Sequence, residues 1–267
     1  ELFEEAGAPK GVLQIVHGRK EQVDLLLKHP DIQAVSFVGS VPVAQYIYTT
    51  GTQNFKRVQA FAGAKNHMVV MPDANKNQVV NNLVGSSVGA AGQRCMAISV
   101  AVLVGDALAE KFIKKIRLVS DGLRVGAFNN SDNDFGPVVT REHKKKIEAL
   151  ITSAENDGAE IVVDGRLFKP SSDLQGGFFL GPTVIDKTKV WMESYKQEIF
   201  GPVLQIVRVD TLPEAIRLIN KNAYGNGCCV FTGDGNTARI FSEEVRAGMI
   251  GINVPLPVPA ATQSFGG

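Results

Sequence analysis

Cysteine is scarce in this sequence, and the few present cannot build a disulfide framework. The three are Cys95, Cys228 and Cys229, an odd number with two adjacent, which points to a reducing compartment. Histidine is equally thin. His17, His29, His67 and His143 stand apart without ligand spacing, and neither CxxC nor HExxH occurs, so no metal site is expected. No apolar run approaches the roughly 18 residues that a bilayer span requires, and no secretory signal or transit peptide is visible in this stretch. An excess of one charge is missing too. The 28 Lys and Arg balance 27 Asp and Glu, for a net charge of +1, so nothing argues for nucleic acid or a membrane surface as partner. Internal repeats and low-complexity tracts are absent. There is no initiator Met, and the last residues, QSFGG, stop in mid-pattern. The sequence reads as a segment of a longer protein, so a missing targeting sequence says nothing about compartment.

What remains is ordinary for a globular α/β protein: 267 residues, 44% hydrophobic and 21% charged, enough for a large core in one or two domains. Short apolar runs alternate with helical periodicity. VLQIV (12–16), IQAVSFVG (32–39), RVQAFAG (57–63) and MVVM (68–71) read as strands. EQVDLLLKH (21–29) and VAQYIYTT (43–50), the latter opened by Pro42, read as helices. Such alternation predicts βαβ units and a parallel sheet. Further on, helices are predicted at 77–89, 108–119, 141–158, 211–222 and 236–248, and strands at 98–105, 160–163, 202–209, 228–233 and 249–253. Thr211 and Glu214 have the spacing of a capping box, and Gly248 that of a helix stop. Residues 121–137 have loop composition.

One stretch carries the chemistry: GAAGQRCMAIS (89–99). A free cysteine is usually a small buried hydrophobe. Cys95, however, sits on a turn between a helix and an apolar strand, where a side chain can project into a cleft. Gly89 and Gly92 permit close backbone approach and could leave amides for a developing oxyanion. Arg94 is adjacent, and a nearby cation favours the nucleophilic thiolate. Cys228 and Cys229, in the apolar run CCVFTG, read as core.

GQRCMA resembles the catalytic-cysteine segment of the NAD(P)-dependent aldehyde dehydrogenase superfamily. VSFVGS (35–40), FAGAKNH (61–67), GPTV (181–184), EIFGPV (198–203), NAYGNG (222–227), GINVP (251–255) and SFGG (264–267) fall in the superfamily's order across the whole chain. The resemblance implies an aldehyde-dehydrogenase-like α/β fold. Residues 1–61 would form the C-terminal part of a Rossmann-type NAD-binding domain, and residues 62–267 an α/β catalytic domain. It makes Cys95 the nucleophile that attacks an aldehyde carbonyl; hydride then passes to NAD, leaving a thioester on Cys95. Gly39 and Ser40 would lie near the cofactor phosphates at a helix start. Glu198 would accept hydrogen bonds from a cofactor ribose, and Phe200 would pack near the nicotinamide. Lys65 and Asn66 would shape the loop below the cysteine, and His67 has no catalytic part.

Hydrolytic members of the superfamily place a glutamate where this chain has Phe61. Phenylalanine cannot take a proton, so deacylation by water should be slow and an outside thiol becomes attractive. AGAKNH, GQRCMA and VVMPDANK (69–76) together resemble the superfamily's CoA-acylating, methylmalonate-semialdehyde branch, although that branch has asparagine at the Phe61 position. The branch implies coenzyme A as co-substrate. Its products would be propionyl-CoA from methylmalonate semialdehyde and acetyl-CoA from malonate semialdehyde, each with loss of carbon dioxide. Arg94 would pair with the substrate's carboxylate; its alternative is to hold a loop carbonyl. A hydrolytic aldehyde dehydrogenase or an inactive truncated relative are the other readings. By the same resemblance the full-length protein would be a homo-oligomer, a tetramer, located in mitochondria or in bacterial cytoplasm. The superfamily's oligomerisation strand and upstream oxyanion asparagine are missing from this stretch, so the segment alone should be poorly active.

Overall fold

The computed structural model describes residues 1–256, and the chain divides into two compact units, Glu1–Gly63 and the residues from Ala64 onward. The first unit contains α1 (Leu2–Glu5), α2 (Lys20–Lys28), β1 (Ala34–Gly39), α3 (Val41–Gln53) and β2 (Arg57–Ala62). β1 and β2 pair in parallel, with Val35 opposite Val58. Pro42 stands in the first turn of α3, where its missing N–H costs nothing. Ala44, Ile47 and Gly51 form the buried stripe of that helix. Lys56 is buried, and its Nζ donates to the carbonyls of His29 and Ile32, both at 2.6 Å, which ties the α2–β1 loop to the start of β2.

The VLQIV segment is not a strand. Ile15 is 74% exposed and Val12 66%, and the sheet of this unit consists of β1 and β2. A strand needs a neighbour to take up its backbone groups, and no strand among the described residues pairs with it.

The second unit contains β3 (Asn66–Val70), α4 (Lys76–Val88), β4 (Ile98–Val104), α5 (Asp106–Asp121), α6 (Arg141–Asn156), β5 (Glu160–Val163), β6 (Thr183–Asp186), α7 (Glu193–Lys196), β7 (Val203–Val209), α8 (Leu212–Asn220), β8 (Gly227–Phe231), α9 (Gly235–Glu244) and β9 (Met249–Ile252). Its seven-stranded sheet has the order β5-β6-β7-β4-β3-β8-β9. Only β5 runs antiparallel. The central strands are buried along both faces, as their unbroken apolar runs require. α4 contributes Val79, Leu83 and Val84 to the core, α5 Phe112 and Ile116, and α6 Ile147 and Ile151. Cys228 and Cys229 lie in β8 within this core, and burial pushes the Cys228 thiol up to about 12.

Two predicted end signals resolve differently. The Glu214 N–H donates to Thr211 Oγ1 at 3.4 Å, but the Glu214 carboxylate reaches the Asp210 N–H at 2.9 Å and not Thr211, so the capping box is half made. α9 stops at Glu244 with Val245 extended. Gly248 lies beyond it, its N–H donating to the Gly225 carbonyl at 2.7 Å. There it holds the entry to β9 and ends no helix. β6, by contrast, begins within GPTV, at Thr183, and runs on to Asp186.

Candidate active site

The four adjacent parallel strands β7, β4, β3 and β8 bring together the segments that enter them. Glu198 to Phe200 lead into β7, Arg94 and Cys95 into β4, Ala64 to Asn66 into β3, and Asn226 into β8. All of them therefore gather at the amino ends of the strands.

The approach to Cys95 is a tight left-handed turn. Ala90 and Ala91 both have φ of +53° and Gly92 has φ of +66°. Glycine tolerates this region freely, whereas alanine is strained there. A side chain at Gly92 would collide with the backbone of Gly201 and the Ser87 carbonyl. Gly89 leaves the space that the Arg94 guanidinium fills. Arg94 Nη2 donates to the carbonyls of Gly85 (3.0 Å) and Ser86 (2.8 Å), in the last turn of α4. The Gly85 carbonyl also accepts from the N–H of Gly89, the C-cap of the helix, and both carbonyls lie at the negative end of its dipole, where a guanidinium is favoured. This is the loop-carbonyl role set out for Arg94 above, and it engages one end of the guanidinium. Arg94 and Cys95 are both exposed, and Cys95 is in no disulfide.

Three consecutive residues then join the cysteine loop to the glutamate loop. The Ala64 N–H donates to Glu198 Oε1 at 3.1 Å. Lys65 is fully buried, and its Nζ donates to the carbonyls of Ser194 (2.7 Å) and Gln197 (2.8 Å). Burial pulls the Lys65 amine down to about 7, partly opposed by the Glu198 charge. A neutral amine still has two N–H donors for its two carbonyls. Asn66 Nδ2 donates to the carbonyls of Cys95 and Ala97, each at 2.8 Å. Asn226 Nδ2 donates to Asn66 Oδ1 and to the Cys95 carbonyl, both at 3.0 Å.

Glu198 lines a cleft with Ala64, Asn66, Arg94 and Phe200. Burial raises its carboxyl, while the Ala64 N–H and then Lys65 and Lys146 hold it down. Phe200 has φ of +54°, and its carbonyl accepts from His143 Nε2 at 2.7 Å, so that nitrogen carries the proton. His67 is buried with Nε2 2.9 Å from the Tyr195 hydroxyl; burial and then Lys65 drive it down to about 3, leaving a neutral core residue.

Gly39 and Ser40 belong to the first unit. Gly39 ends β1 with the Phe37 ring against its α-carbon. Ser40 is the N-cap of α3 in extended backbone, and its side chain makes no capping bond. Phe61 is half-buried in β2 opposite Val38. In GINVP, Asn253 accepts from the Thr232 N–H and donates to its carbonyl, both at 2.9 Å, which braces β9 on β8. SFGG lies outside the described residues. No group of three or more His, Cys, Asp or Glu side chains among the described residues could hold a metal. Sequence reasoning did not single out Asn226 or His143 for the site. Their partners lie 131 and 57 positions away in the chain, and only the presence of Asn226 within NAYGNG hinted at it.

The family model described as the aldehyde dehydrogenase family matches residues 1–267. A malonate-semialdehyde dehydrogenase of Pseudomonas aeruginosa is 53% identical over 267 residues, 100% of this chain and 54% of that protein. A Bos taurus mitochondrial protein named as an acylating methylmalonate-semialdehyde/malonate-semialdehyde dehydrogenase is 49% identical over 266 residues, 100% of this chain and 49% of that protein. Among solved structures, a provisionally named methylmalonate-semialdehyde dehydrogenase of Sinorhizobium meliloti 1021, complexed with NAD, matches with a TM-score of 0.96 at 49% identity. It covers 99% of this chain and 54% of that one. The chain thus spans about half the length of the relatives it matches. With its mixed sheet and its exposed thiol beside the Glu198 loop, the chain belongs to the aldehyde dehydrogenase family.

Proposed function

We propose that the protein to which this chain belongs oxidises malonate or methylmalonate semialdehyde and delivers the acyl group to coenzyme A. The observation that carries the proposal is the exposed Cys95 thiol, on a loop whose carbonyl is bonded by two buried amides next to the Glu198–Phe200 loop. The thiolate adds to the aldehyde carbon to give a thiohemiacetal. Loss of a hydride and of the hydroxyl proton converts this to a thioester on Cys95. The bond to the carboxylate breaks to release carbon dioxide, the electron pair left on carbon takes a proton from water, and the coenzyme A thiol displaces Cys95 as a thiol to release acetyl-CoA or propionyl-CoA. NAD supplies the hydride acceptor when bound.

The chain's own residues fit that cofactor. Glu198 has one carboxylate oxygen committed to the Ala64 N–H and lines the cleft, as an acceptor for sugar hydroxyls should. Phe200, 38% exposed, offers an apolar ring beside it. Gly39 and Ser40, at the start of α3, are suited to phosphate. Both bidentate edges of the Arg94 guanidinium include Nη2, which holds α4, so Arg94 would meet the substrate's carboxylate through a single donor, Nη1. Phe61 in place of a carboxylate removes the general base that would favour water as acyl acceptor. By the family resemblance, we expect the full-length protein to be a homo-oligomer, a tetramer, in mitochondria or bacterial cytoplasm.

The test follows NADH formation by the full-length protein from methylmalonate semialdehyde over many turnovers. Sustained turnover only with coenzyme A is the expected result. Equal sustained rates without it would replace the thiol acceptor with water.

A further inference from the structure

We propose that Asn66 and Asn226 are positioning residues for the Cys95 nucleophile, acting as one chain of amides that fixes the peptide carrying the thiol. The inference rests on the assignment of Cys95 as the nucleophile. Asn66 is 1% exposed and Asn226 8%. Asn66 Nδ2 faces two carbonyls, those of Cys95 and Ala97, and only the nitrogen of an amide can donate to a carbonyl. That leaves Asn66 Oδ1 to accept, and Asn226 Nδ2 supplies its proton while also donating to Cys95. The direction of the chain is therefore forced, and all four amide hydrogens are used. The Cys95 carbonyl receives two of them, which fills both its lone pairs.

The loop around Cys95 cannot hold this geometry unaided. It enters through two alanines in the left-handed region, a conformation that favours relaxation. Asn66 is the first residue of β3 and Asn226 immediately precedes β8, two central strands buried along their whole length. Rotating the Cys95 peptide would strand two buried amide donors, so the trajectory of the thiol is set by the sheet and not by its own turn. A displacement of about 1 Å at a reacting atom can cost about a hundred-fold in rate. A pair with only a structural role would change melting temperature and leave the reactivity of folded enzyme alone.

Full-length enzyme with NAD bound, N66D, N226D and the double variant, provides the test. Aspartate keeps the size and removes the amide donors. We expect iodoacetamide labelling of Cys95, located by peptide mass, and the first-turnover rate of NADH formation to fall about ten- to a hundred-fold in either single variant. The KM for NAD should hold, and the double variant should be no slower than N66D, as expected for a single chain. Wild-type labelling and first-turnover rates in the folded single variants would overturn the proposal, whatever happens to the melting temperature. If the aspartate variants do not fold, N226S carries the same comparison with a smaller side chain. The catalytic assignment fails in a different place: there the wild-type Cys95 itself would label no faster than free cysteine, which removes the nucleophile and its positioning together.

Discussion

The α-carbon of Gly92 lies against the backbone of Gly201 with no room between them for a methyl group. One glycine belongs to the cysteine loop and the other to the EIFGPV segment, so two parts of the site 109 positions apart are bolted together backbone to backbone.

Gly92→Ala should therefore destabilise the protein by roughly 3 kcal/mol or more, from a left-handed alanine together with the overpacking. Ala90→Gly is the opposite case. Ala90 is exposed with φ of +53°, so glycine should stabilise by about 1 kcal/mol. Urea melts of both variants check the pair; a Gly92→Ala protein as stable as wild type would contradict the close approach.

Cys95→Ser should abolish NADH formation by the full-length protein, with a loss of at least about a thousand-fold, because a hydroxyl is far less nucleophilic than a thiolate at neutral pH. The melting temperature should barely move, since Cys95 is exposed. Residual turnover near wild type would place the nucleophile elsewhere.

Phe61→Glu tests the proposed role of Phe61 by placing a proton acceptor at the position that the family resemblance gives to the general base. NADH formation without coenzyme A should rise about ten-fold or more, within the range of general-base contributions. A variant that stays fully dependent on coenzyme A would show that Phe61 is not what excludes water as acceptor.

Lys65→Met should change how stability depends on pH. The Lys65 amine titrates near 7 when folded, against an ordinary 10.5, because it is buried. Below about 7 both folded and unfolded lysine are charged, and pH does not discriminate. Between about 7 and 10.5 the unfolded chain keeps a proton that the folded chain has released, so folding gains as pH rises. The stability of wild type minus that of Lys65→Met should therefore increase from pH 7 to pH 9, measured by urea melts. A constant difference would mean that Lys65 is charged in the fold.

Much of the fold was legible in local pattern. The unbroken run of 98–104 could only be a strand buried on both faces, and Pro42 marked the first turn of α3. Local pattern failed wherever a partner decided the outcome. VLQIV has strand composition but no paired strand among the described residues, and Gly248 looks like a helix stop until its N–H is found on Gly225. Glu214 turned to Asp210 because a carboxylate takes whichever free N–H lies nearer. At the site, Cys95 and Glu198 could be picked out by their motifs. The role of Lys65 could not, since its two acceptors are backbone carbonyls about 130 positions away, and carbonyls leave no mark on sequence.

The gathering of the site at the amino ends of the strands divides the labour of the sheet's two rims. At the far rim the strands run out into helices closed by local devices: Asn75 caps α4, Thr211 caps α8 and Asp234 caps α9. None of those turns touches Cys95, Glu198 or the amides that hold them. That rim is where a fluorophore or an affinity handle can be grafted while the chemistry at the opposite rim runs undisturbed.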